Sequence, residues 1–518
     1  MSKYIFLSIC LLAFLSCKEN KESNTESNNS LEEKHRPAYH FTPEANWMND
    51  PNGLVYFEGE YHLFYQYYPD STVWGPMHWG HAVSKDLVHW EHLPIALYPD
   101  SLGYIFSGSA VIDWNNSSGL GVGNEPPMIA MFTYHQMEME KAGKLDYQYQ
   151  GLAFSNDKGR TWTKYDGNPV IPNSKPIKDF RDTKVFWNEK ANNWLMVLAA
   201  QDRVQFWNSP DLIHWEFLSD FGENIGAHGG VWECPDIFPL KIEGTEKEKW
   251  VLLLSINPGG PNKGSATQYF VGDFDGKTFQ LDTEFKDEVE MYDGLWLDYG
   301  RDNYAGVTWS DIPKEDGRKL FIGWMSNWDY AQAVPTEKWR SAMTLPRSLH
   351  LVQYENSYRL ISKPVREASL LFEKENEAEK NQTAFEIGPE GTAFFEISFK
   401  KPSSGKTELI FENTKGENLR FGYDSETDKY YVDRSSSGAN DFSENFSKPI
   451  IYGRRWSKSD SIELELFLDK ASLEVFADGG KTVLTNIFFP SEPFQVLKFK
   501  SNNGEIESLE IKMRQTKR

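Results

Sequence analysis

One loosely repeated pattern constrains the fold of this chain more than any other feature. A β-rich run ends in Ser, Asn or Gly with an Asp, and an aromatic residue follows; the copies end near Trp90, Trp162, Trp215 and Phe279. They lie roughly 50–70 residues apart, a spacing expected for one sheet per repeat. Strand-like runs such as YHLFYQYY, WLMVLAA and WVLLLSI fill the intervals, and long helical patterns are scarce. The pattern predicts a five-bladed β-propeller over residues 36–355.

The composition and the residue pattern of the sequence change after about residue 360. The run ASLLFEKENEAEKNQ is charged and typical of a linker, which we place at residues 356–375. Short alternating strands follow, among them TAFFEISF, IELELFLD and SLEVFAD, with Gly, Asp or Asn turns between them. This alternation predicts a β-sandwich over residues 376–518. The predicted fold class is therefore all-β, a five-bladed β-propeller followed by a C-terminal β-sandwich.

The N-terminus predicts export. Lys3 precedes the apolar run YIFLSICLLAFL, which is too short to span a membrane comfortably, and Ser16 and Cys17 close it. The arrangement resembles a bacterial lipoprotein cleavage site, so residues 1–17 are interpreted as a signal peptide ending at a lipidated Cys17. An ordinary secretory peptide cut nearby is the alternative. Residues 18–35 are polar and predict a disordered tether. We expect an exported protein that a lipid anchors to a bacterial membrane.

Charge and cysteine content exclude several classes of site. The net charge of -22 argues against a nucleic-acid partner, whose phosphates attract Lys and Arg. Cys10 and Cys17 belong to the signal, which leaves Cys234 alone in the mature body and excludes an internal disulfide or a cysteine-based zinc cluster there. The sequence holds no metal or nucleotide motif, so we expect no cofactor. It does not indicate the oligomeric state.

Three of the 76 acidic residues stand out through their surroundings. Asp50 lies in WMNDPNG, where Pro51 and Gly53 fix a turn; Asp182 lies in FRDTKVFW, and Glu233 in GGVWECPDIFPL. Carboxylates in apolar, turn-rich settings need partners or a function. Each alone could be a structural ion pair. On separate repeats of a fold whose blades converge on one axis, the three together predict a single site.

These segments resemble glycoside hydrolase family 32, the fructan hydrolases and invertases, which pair a five-bladed propeller with a C-terminal sandwich. WMNDPNG, FRDTKVFW and WECPDIF resemble the nucleophile, Arg-Asp and Glu-Cys motifs of that family, and FSGSAV, WLDYGRDNYAGVTWSD and SLEVFADGGKTVLTNIFFP fit as well. The one departure is Thr183, where the Arg-Asp motif of the family normally continues with Pro. Thr leaves the backbone after Asp182 less restrained and adds a donor, which could loosen the site or be absorbed by packing.

The resemblance implies a retaining mechanism with two carboxyl groups. Asp50 would be the nucleophile, Glu233 the acid/base, and Asp182 the stabiliser of the transition state. We expect hydrogen bonds from the turn to keep Asp50 ionised. We also expect the apolar neighbours Trp232 and Cys234 to help Glu233 keep its proton near neutral pH.

The resemblance also implies a set of residues that line the fructosyl subsite, for which propeller packing is the alternative reading. They are Asn49, Gln66, Trp74, Phe106, Ser107, Arg181 and Asp298, with Trp324, ahead of Trp328, as an aromatic wall.

The sequence thus predicts a retaining glycosidase that removes terminal β-D-fructofuranosyl units from levan, inulin and sucrose. An invertase acting mainly on sucrose, an endo-acting fructanase and a fructosyl transferase are alternatives. A non-catalytic glycan-binding lipoprotein is an alternative of another class, which only Thr183 favours.

Overall fold

The computed structural model describes residues 33–373, 379–380, 382–447, 449–502 and 507–517. The chain divides into two units, Met1–Lys34 and His35–Arg518, and the fold described here is that of the second. The predicted signal peptide, Cys17 and nearly all of the predicted tether lie outside the described residues. Within the described ranges, no helix has the length and apolar character needed to cross a membrane.

Residues 46–364 form five sheets in chain order. The first contains β1 (Asn46–Phe57), β2 (Glu60–Tyr68), β3 (His78–Ser84) and β4 (Trp90–Leu97). The second contains β5 (Tyr104–Ile112), β6 (Met128–His135), β7 (Gln148–Ser155) and β8 (Thr163–Lys164). The third contains β9 (Phe180–Asn188), β10 (Asn193–Ala200), β11 (Arg203–Ser209) and β12 (Glu216–Phe221). The fourth contains β13 (Val231–Lys241), β14 (Glu248–Asn257), β15 (Ala266–Phe274) and β16 (Phe279–Leu281). The fifth contains β17 (Tyr304–Thr308), β18 (Lys319–Met325), β20 (Ala342–Met343), β21 (Arg347–Tyr354) and β22 (Ser357–Pro364), while β19 (Trp339–Arg340) joins the first sheet.

The first strands of these five sheets close a ring. β1 contacts β5, β5 contacts β9, β9 contacts β13, β13 contacts β17, and β17 contacts β1. The late strand β19 pairs in parallel with β1, through Asn46 and Trp339, and so ties the end of this region to its beginning. The arrangement brings the N-terminal ends of β1, β5, β9 and β13 together, which is where the predicted catalytic motifs lie.

Residues 379–515 form two six-stranded sheets. One contains β23 (Glu379–Lys380), β25 (Ala393–Lys400), β30 (Ser461–Asp469), β31 (Ser472–Ala477), β32 (Thr482–Ile487) and β34 (Glu510–Gln515). The other contains β24 (Ala384–Glu386), β26 (Lys406–Glu412), β27 (Asn418–Asp424), β28 (Lys429–Ser436), β29 (Ile451–Arg454) and β33 (Val496–Ser501). Aromatic rings join the two sheets, as in Phe395 with Phe411 at 6.0 Å and Phe399 with Phe499 at 5.1 Å between centroids. The predicted all-β class is confirmed.

Helices are few and short among the described residues. They are α1 (Met137–Lys141), α2 (Thr283–Tyr292), α3 (Glu444–Ser447) and the 3₁₀ turns Ala331–Ala333 and Arg366–Leu371. Only α2 reaches ten residues; Asp282 caps its start, and Phe285 and Val289 fix it to the core.

The boundary that the sequence predicted at residue 355 is too early. β22 pairs with β21 along its whole length, from Ser357 opposite Tyr354 to Pro364 opposite Arg347. Residues 357–364 therefore belong to the fifth sheet and not to a linker. The cations Arg359 and Lys363 in SYRLISKP hide this strand from a reading by composition, because they interrupt its apolar residues. The division into two domains with a linker otherwise stays a prediction.

A buried ionic network connects the two C-terminal sheets to the fifth sheet of the N-terminal region. Arg347 on β21 donates to Asp298 at 2.9 Å and to Glu474 on β31 at 2.5 Å. Asp298 also accepts from the backbone N–H and hydroxyl of Thr485 on β32, at 2.9 and 2.7 Å. The ring of His40 contacts Glu474 at 2.9 Å. Because every group here is buried and partnered, the network holds the two regions in one orientation.

Candidate active site

A cavity of about 270 Å³ opens at the N-terminal ends of the ring strands. It is lined by Asn49, Asp50, Gln66, Trp74, Phe106, Ser107, His135, Glu140, Gln148, Asp179, Arg181, Asp182, Glu233, Trp328 and Gln332. The structure therefore brings together the three carboxyl groups singled out from the sequence and most of the residues predicted around them.

Asp50 lies at an irregularity of β1, where the register against β2 shifts between Met48 and Pro51. The hydroxyl of Ser107 donates to its Oδ2 at 2.7 Å, and the amide of Asn49 donates to its Oδ1 at 3.0 Å. Burial raises the pKa of Asp50, and so does the charge of Glu233, while these two hydrogen bonds lower it. The donors thus offset part of the cost of ionising a buried carboxyl group.

The orientation of Asn49 is itself fixed by a residue that sequence reasoning did not single out. The indole N–H of Trp47 donates to Asn49 Oδ1 at 2.7 Å, which leaves the Asn49 amide N–H to face Asp50. Trp47 is the first residue of the motif WMNDPNG, three positions before Asp50, and it is fully buried.

Asp182 adopts a left-handed backbone conformation, with φ +65°. Its N–H donates to Thr133 Oγ1 at 3.0 Å, and its Oδ2 accepts from the N–H of Cys234 at 3.0 Å. Burial raises the pKa of Asp182 to about 7; the Arg181 guanidinium opposes this rise, and the carboxylates of Glu233 and Asp50 add to it. The protonation state of Asp182 therefore changes near neutral pH.

Thr183, the one departure from the family motif, is accommodated by packing. Its side chain is buried, and its hydroxyl donates to the carbonyl oxygen of Met131 at 3.1 Å. With the N–H of Asp182 bonded to Thr133, strand β6 holds the backbone on both sides of the substitution. The extra donor has a partner, so the structure gives no support to a loosened site.

Glu233 is held by polar partners. Arg181 donates to its Oε1 at 2.8 Å, and the hydroxyl of Tyr304 donates to its Oε2. The predicted apolar surroundings are wrong, because Trp232 points away and donates its indole N–H to the carbonyl oxygen of Ala227 at 2.9 Å. Adjacent strand residues face opposite sides of a sheet, so Trp232 cannot shield its neighbour.

Cys234 places its thiol between the other two carboxyl groups. Its Sγ lies 3.7 Å from Asp50 Oδ2 and 3.6 Å from Asp182 Oδ2. Burial raises the pKa of the Cys234 thiol well above its usual value, and the three nearby carboxylates add to the rise. The group therefore remains a neutral, weak donor between two acceptors.

Aromatic rings form the walls of the cavity. Trp74 packs edge-on against Phe106 with 6.1 Å between centroids, and Phe106 stacks on His135 at 4.2 Å. Burial, aided by the Arg181 charge, lowers the pKa of His135 to about 4, so this ring is neutral at physiological pH.

Two predicted binding residues do not line the cavity. Trp324 is fully buried, and its indole N–H donates to the carbonyl oxygen of Met48 at 3.1 Å. It therefore supports the strand segment that carries Asp50 from within the core. Trp328 faces the cavity instead and packs against Trp324 at 5.0 Å between centroids. Asp298 belongs to the buried network with Arg347. For both Trp324 and Asp298, the motif alone does not indicate whether the side chain points into the cavity.

Several cavity residues were not singled out from the sequence, namely His135, Glu140, Gln148, Asp179 and Gln332. Asp179 is the one with a clear role, because it accepts from Arg181 at 2.7 Å and from the hydroxyl of Tyr147 at 3.0 Å. It thus holds the guanidinium that contacts Glu233. The sequence signal for this role is that Asp179 lies two residues before Arg181. Among the residues that the structure describes, no group of three or more His, Cys, Asp or Glu is arranged to hold a metal ion.

Comparison with known proteins gives matches along almost the whole chain. The model of the glycosyl hydrolases family 32 N-terminal domain matches residues 40–364, and that of the family 32 C terminal matches residues 363–514. A levanase of Bacillus subtilis is 48% identical over 492 residues, covering 93% of this chain and 70% of that protein. An extracellular exo-inulinase of Aspergillus niger is 38% identical over 516 residues, covering 93% and 94%.

Solved structures are similar over the same extent. The exo-inulinase of Aspergillus awamori superposes with a TM-score of 0.85 at 34% identity, covering 94% of this chain and 99% of that one. A β-fructofuranosidase of Schwanniomyces occidentalis, complexed with fructosyl-erythritol, gives a TM-score of 0.82 at 32% identity, covering 94% and 98%.

Proposed function

The chain belongs to glycosyl hydrolases family 32, and from this premise we propose that it removes terminal β-D-fructofuranosyl units from levan or inulin with retention of configuration. It is a glycosidase acting on β-fructofuranosides, as its levanase and exo-inulinase relatives are, and the proposal includes action on sucrose. The observation that carries the proposal is the shared cavity of Asp50 and Glu233, which lie close enough for the charge of Glu233 to raise the pKa of Asp50.

The five sheets of residues 46–364 are, in this proposal, the blades of a five-bladed propeller. The closed ring of contacts among β1, β5, β9, β13 and β17 supports it, as does the parallel pairing of β19 with the first sheet. Such a ring presents the starts of its inner strands at one end of a common axis, which explains why motifs far apart in the chain share one cavity.

The proposed first step forms a covalent fructosyl–enzyme ester. A carboxylate oxygen of Asp50 attacks the anomeric carbon, the bond to the leaving oxygen breaks, and Glu233 gives its proton to that oxygen. Water then attacks the same carbon while Glu233 takes the proton, which returns Asp50 as a carboxylate. The hydrogen bonds from Asn49 and Ser107 hold the attacking carboxylate in one orientation, on which the rate depends steeply.

The charge balance of the cavity favours a retained proton. Asp182 and Glu233 both engage the guanidinium of Arg181, as Asp179 does, and the charge of Glu233 acts on Asp50. Carboxyl groups packed this closely do not all ionise together, and their protons belong to the group as a whole. Burial raises the pKa of Asp182 to about 7 and also raises the pKa of Asp50, so these carboxyl groups retain a proton near neutral pH.

Arg181 and Asp182 are proposed to hold the hydroxyl groups of the fructosyl ring. Both line the cavity and both are anchored by protein contacts, Arg181 by Asp179 at 2.7 Å and Asp182 by the N–H of Cys234 at 3.0 Å. Fixed polar groups of this kind stabilise the charge that develops on the sugar in the transition state.

The size of the cavity favours action at chain ends. About 270 Å³ is near the lower limit of ligand pockets and suits a single sugar ring better than a threaded chain. Chromatography of a levan digest tests this: we expect fructose alone from the earliest times, with no activity in Asp50→Asn. A ladder of oligosaccharides would show endo-cleavage instead.

Two further measurements separate the remaining alternatives. Comparing kcat/KM on levan, inulin and sucrose decides whether the enzyme is chiefly an invertase. Analysis of the products formed at high sucrose concentration would reveal fructosyl transfer.

Export with a lipid anchor at Cys17 is a separate proposal, supported by the N-terminal sequence. The extracellular naming of the exo-inulinase relatives agrees with export. Labelling with a fatty acid, lost in Cys17→Ala, tests the anchor; unchanged labelling would refute it.

A further inference from the structure

A second, larger cavity lies farther along the strands that carry the catalytic residues. Its volume is about 960 Å³, and no residue that lines the active-site cavity lines it. On β5, Ser107 faces the first cavity and Ile112 the second; on β9, Asp182 faces the first and Lys184 the second. The two cavities therefore occupy opposite ends of the ring of strands.

An exposed tryptophan marks the opening of the second cavity. Trp114 is 60% exposed, which is unusual for so large an aromatic side chain. Its indole N–H donates to Asp311 Oδ1 at 2.8 Å, and its ring packs against Phe57 with 5.7 Å between centroids. The ring is thus held in place with much of its surface in solvent. A fixed, exposed aromatic face beside a cavity is suited to stacking on a ligand ring.

The charged groups of the wall largely neutralise one another. The pairs are Lys184 with Asp236 at 3.2 Å, Lys314 with Glu189 at 2.8 Å, and Arg318 with Asp316 at 2.6 Å. A wall whose charges are already paired gains little from a charged ligand. It favours a neutral ligand that both donates and accepts hydrogen bonds.

The floor of the cavity has unused hydrogen-bonding capacity. Asp236 is fully buried, and although its Oδ2 accepts from the N–H and hydroxyl of Thr308, its Oδ1 has no partner among the described residues. The ammonium group of Lys319 lies 5.1 Å from the centroid of the Phe238 ring. Both Asp236 and Lys319 line the cavity, and the partly exposed Lys319 offers a donor to hydroxyl groups in its depth, whereas Asp236 Oδ1 is closed off from the cavity.

We propose that this second cavity binds a neutral oligosaccharide, a stretch of fructan chain distant from the end being cleaved, with Trp114 as its stacking platform. The choice of fructan rests on the proposed function, whereas the choice of a neutral sugar rests on the cavity itself. Holding the polymer at a second point raises the effective concentration of chain ends at the active site.

Affinity electrophoresis in gels containing levan, inulin or dextran tests the proposal. All proteins carry Asp50→Asn, so that the polysaccharide is not consumed. We expect levan to retard the parent, and Trp114→Ala to weaken binding about tenfold, as loss of a packed aromatic anchor commonly does. Trp114→Phe keeps a ring but loses the bond to Asp311, and it should retain most of the retardation. Tyr98→Ala removes an aromatic side chain that is 55% exposed and lines neither cavity, and it should behave as the parent.

The active enzyme provides the second measurement. Trp114→Ala should keep kcat/KM on sucrose within about twofold, as surface substitutions usually do, while its KM for levan rises. Unchanged retardation of Trp114→Ala, or an equal loss in Tyr98→Ala, would overturn the proposal. Retardation by dextran as strong as by levan would overturn the assignment to fructan. Because the gel needs no turnover, a protein that levan retards but that hydrolyses no fructan would refute the catalytic proposal alone.

Discussion

Asp182 couples the stability of the fold to pH, and replacing it with Asn isolates that coupling. Burial raises the pKa of Asp182 to about 7 in the folded protein, against about 3.9 in an unfolded chain. Between these values the folded state keeps a proton that the unfolded state has lost, so the stability of the protein falls as the pH rises through this window. Three pKa units correspond to about 4 kcal/mol once the pH exceeds 7.

The Asp182→Asn variant has no such dependence, since its side chain is neutral at every pH. An amide oxygen can still accept from the N–H of Cys234, as the carboxylate does at 3.0 Å. We therefore expect the variant to match the parent near pH 4 and to be more stable by about 4 kcal/mol near pH 8. Its turnover should fall by orders of magnitude, because the proposed mechanism assigns the stabilisation of the transition state to the carboxylate of Asp182.

Asp179→Asn is the matched control, with the opposite sign. Burial acts to raise the pKa of Asp179, but the Arg181 guanidinium outweighs it and holds that pKa below its usual value. Its carboxylate therefore stabilises the fold at neutral pH, and Asp179→Asn should lose stability there and recover as the pH falls. Guanidinium-induced unfolding of the three proteins from pH 4 to 8 measures both trends. A difference between parent and Asp182→Asn that stays constant with pH would refute the reasoning.

Three further predictions follow from contacts elsewhere. Trp328→Ala should raise KM for levan, whereas Trp324→Ala should lower stability by about 3–5 kcal/mol, because only the first ring faces the cavity; steady-state kinetics and thermal melting separate the two. Arg347→Met removes the charged partner of buried Asp298 and one of the two charged partners of Glu474, so it should cost about 3–5 kcal/mol in urea unfolding, and a loss below about 1 kcal/mol would contradict a structural role for the network. Burial acts to lower the pKa of His40, but its carboxylate partners Asp469, at 2.7 Å, and Glu474 raise it to about 9. His40 therefore adds about 3 kcal/mol of stability below pH 6.5, which disappears as the pH rises through 9. The deficit of His40→Gln in unfolding should therefore vanish above that pH, and a deficit that persists would count against this linkage.

The sequence predicted the fold class and the three carboxyl groups because both depend on local patterns. Alternation along strands marks the sheets, and each acid occupies an irregular segment: β1 has a register shift at Asp50, where the sequence predicted a turn, and Asp182 adopts a left-handed conformation. Irregular positions at strand ends interrupt the pattern, so they are visible without a structure.

What could not be predicted depends on partners that are distant in the chain. Trp324 and Trp328 lie four residues apart in one segment, and only the three-dimensional packing decides which of them faces the cavity. Glu233 receives its partners from β9 and β17, through Arg181 and Tyr304, rather than from its own neighbours. Asp298 resembles a binding residue until the ionic network from the C-terminal sheets is seen around it.

Mass spectrometry of a trapped intermediate tests the central claim most directly. In Glu233→Gln, a β-fructosyl fluoride needs no proton donor for its leaving group, but the water that completes hydrolysis lacks its base, so the intermediate should accumulate. Digestion of the acid-quenched protein should yield the peptide containing Asp50 with one fructosyl unit attached. Release of one equivalent of fluoride with no adduct, or with the adduct on another peptide, would contradict the account.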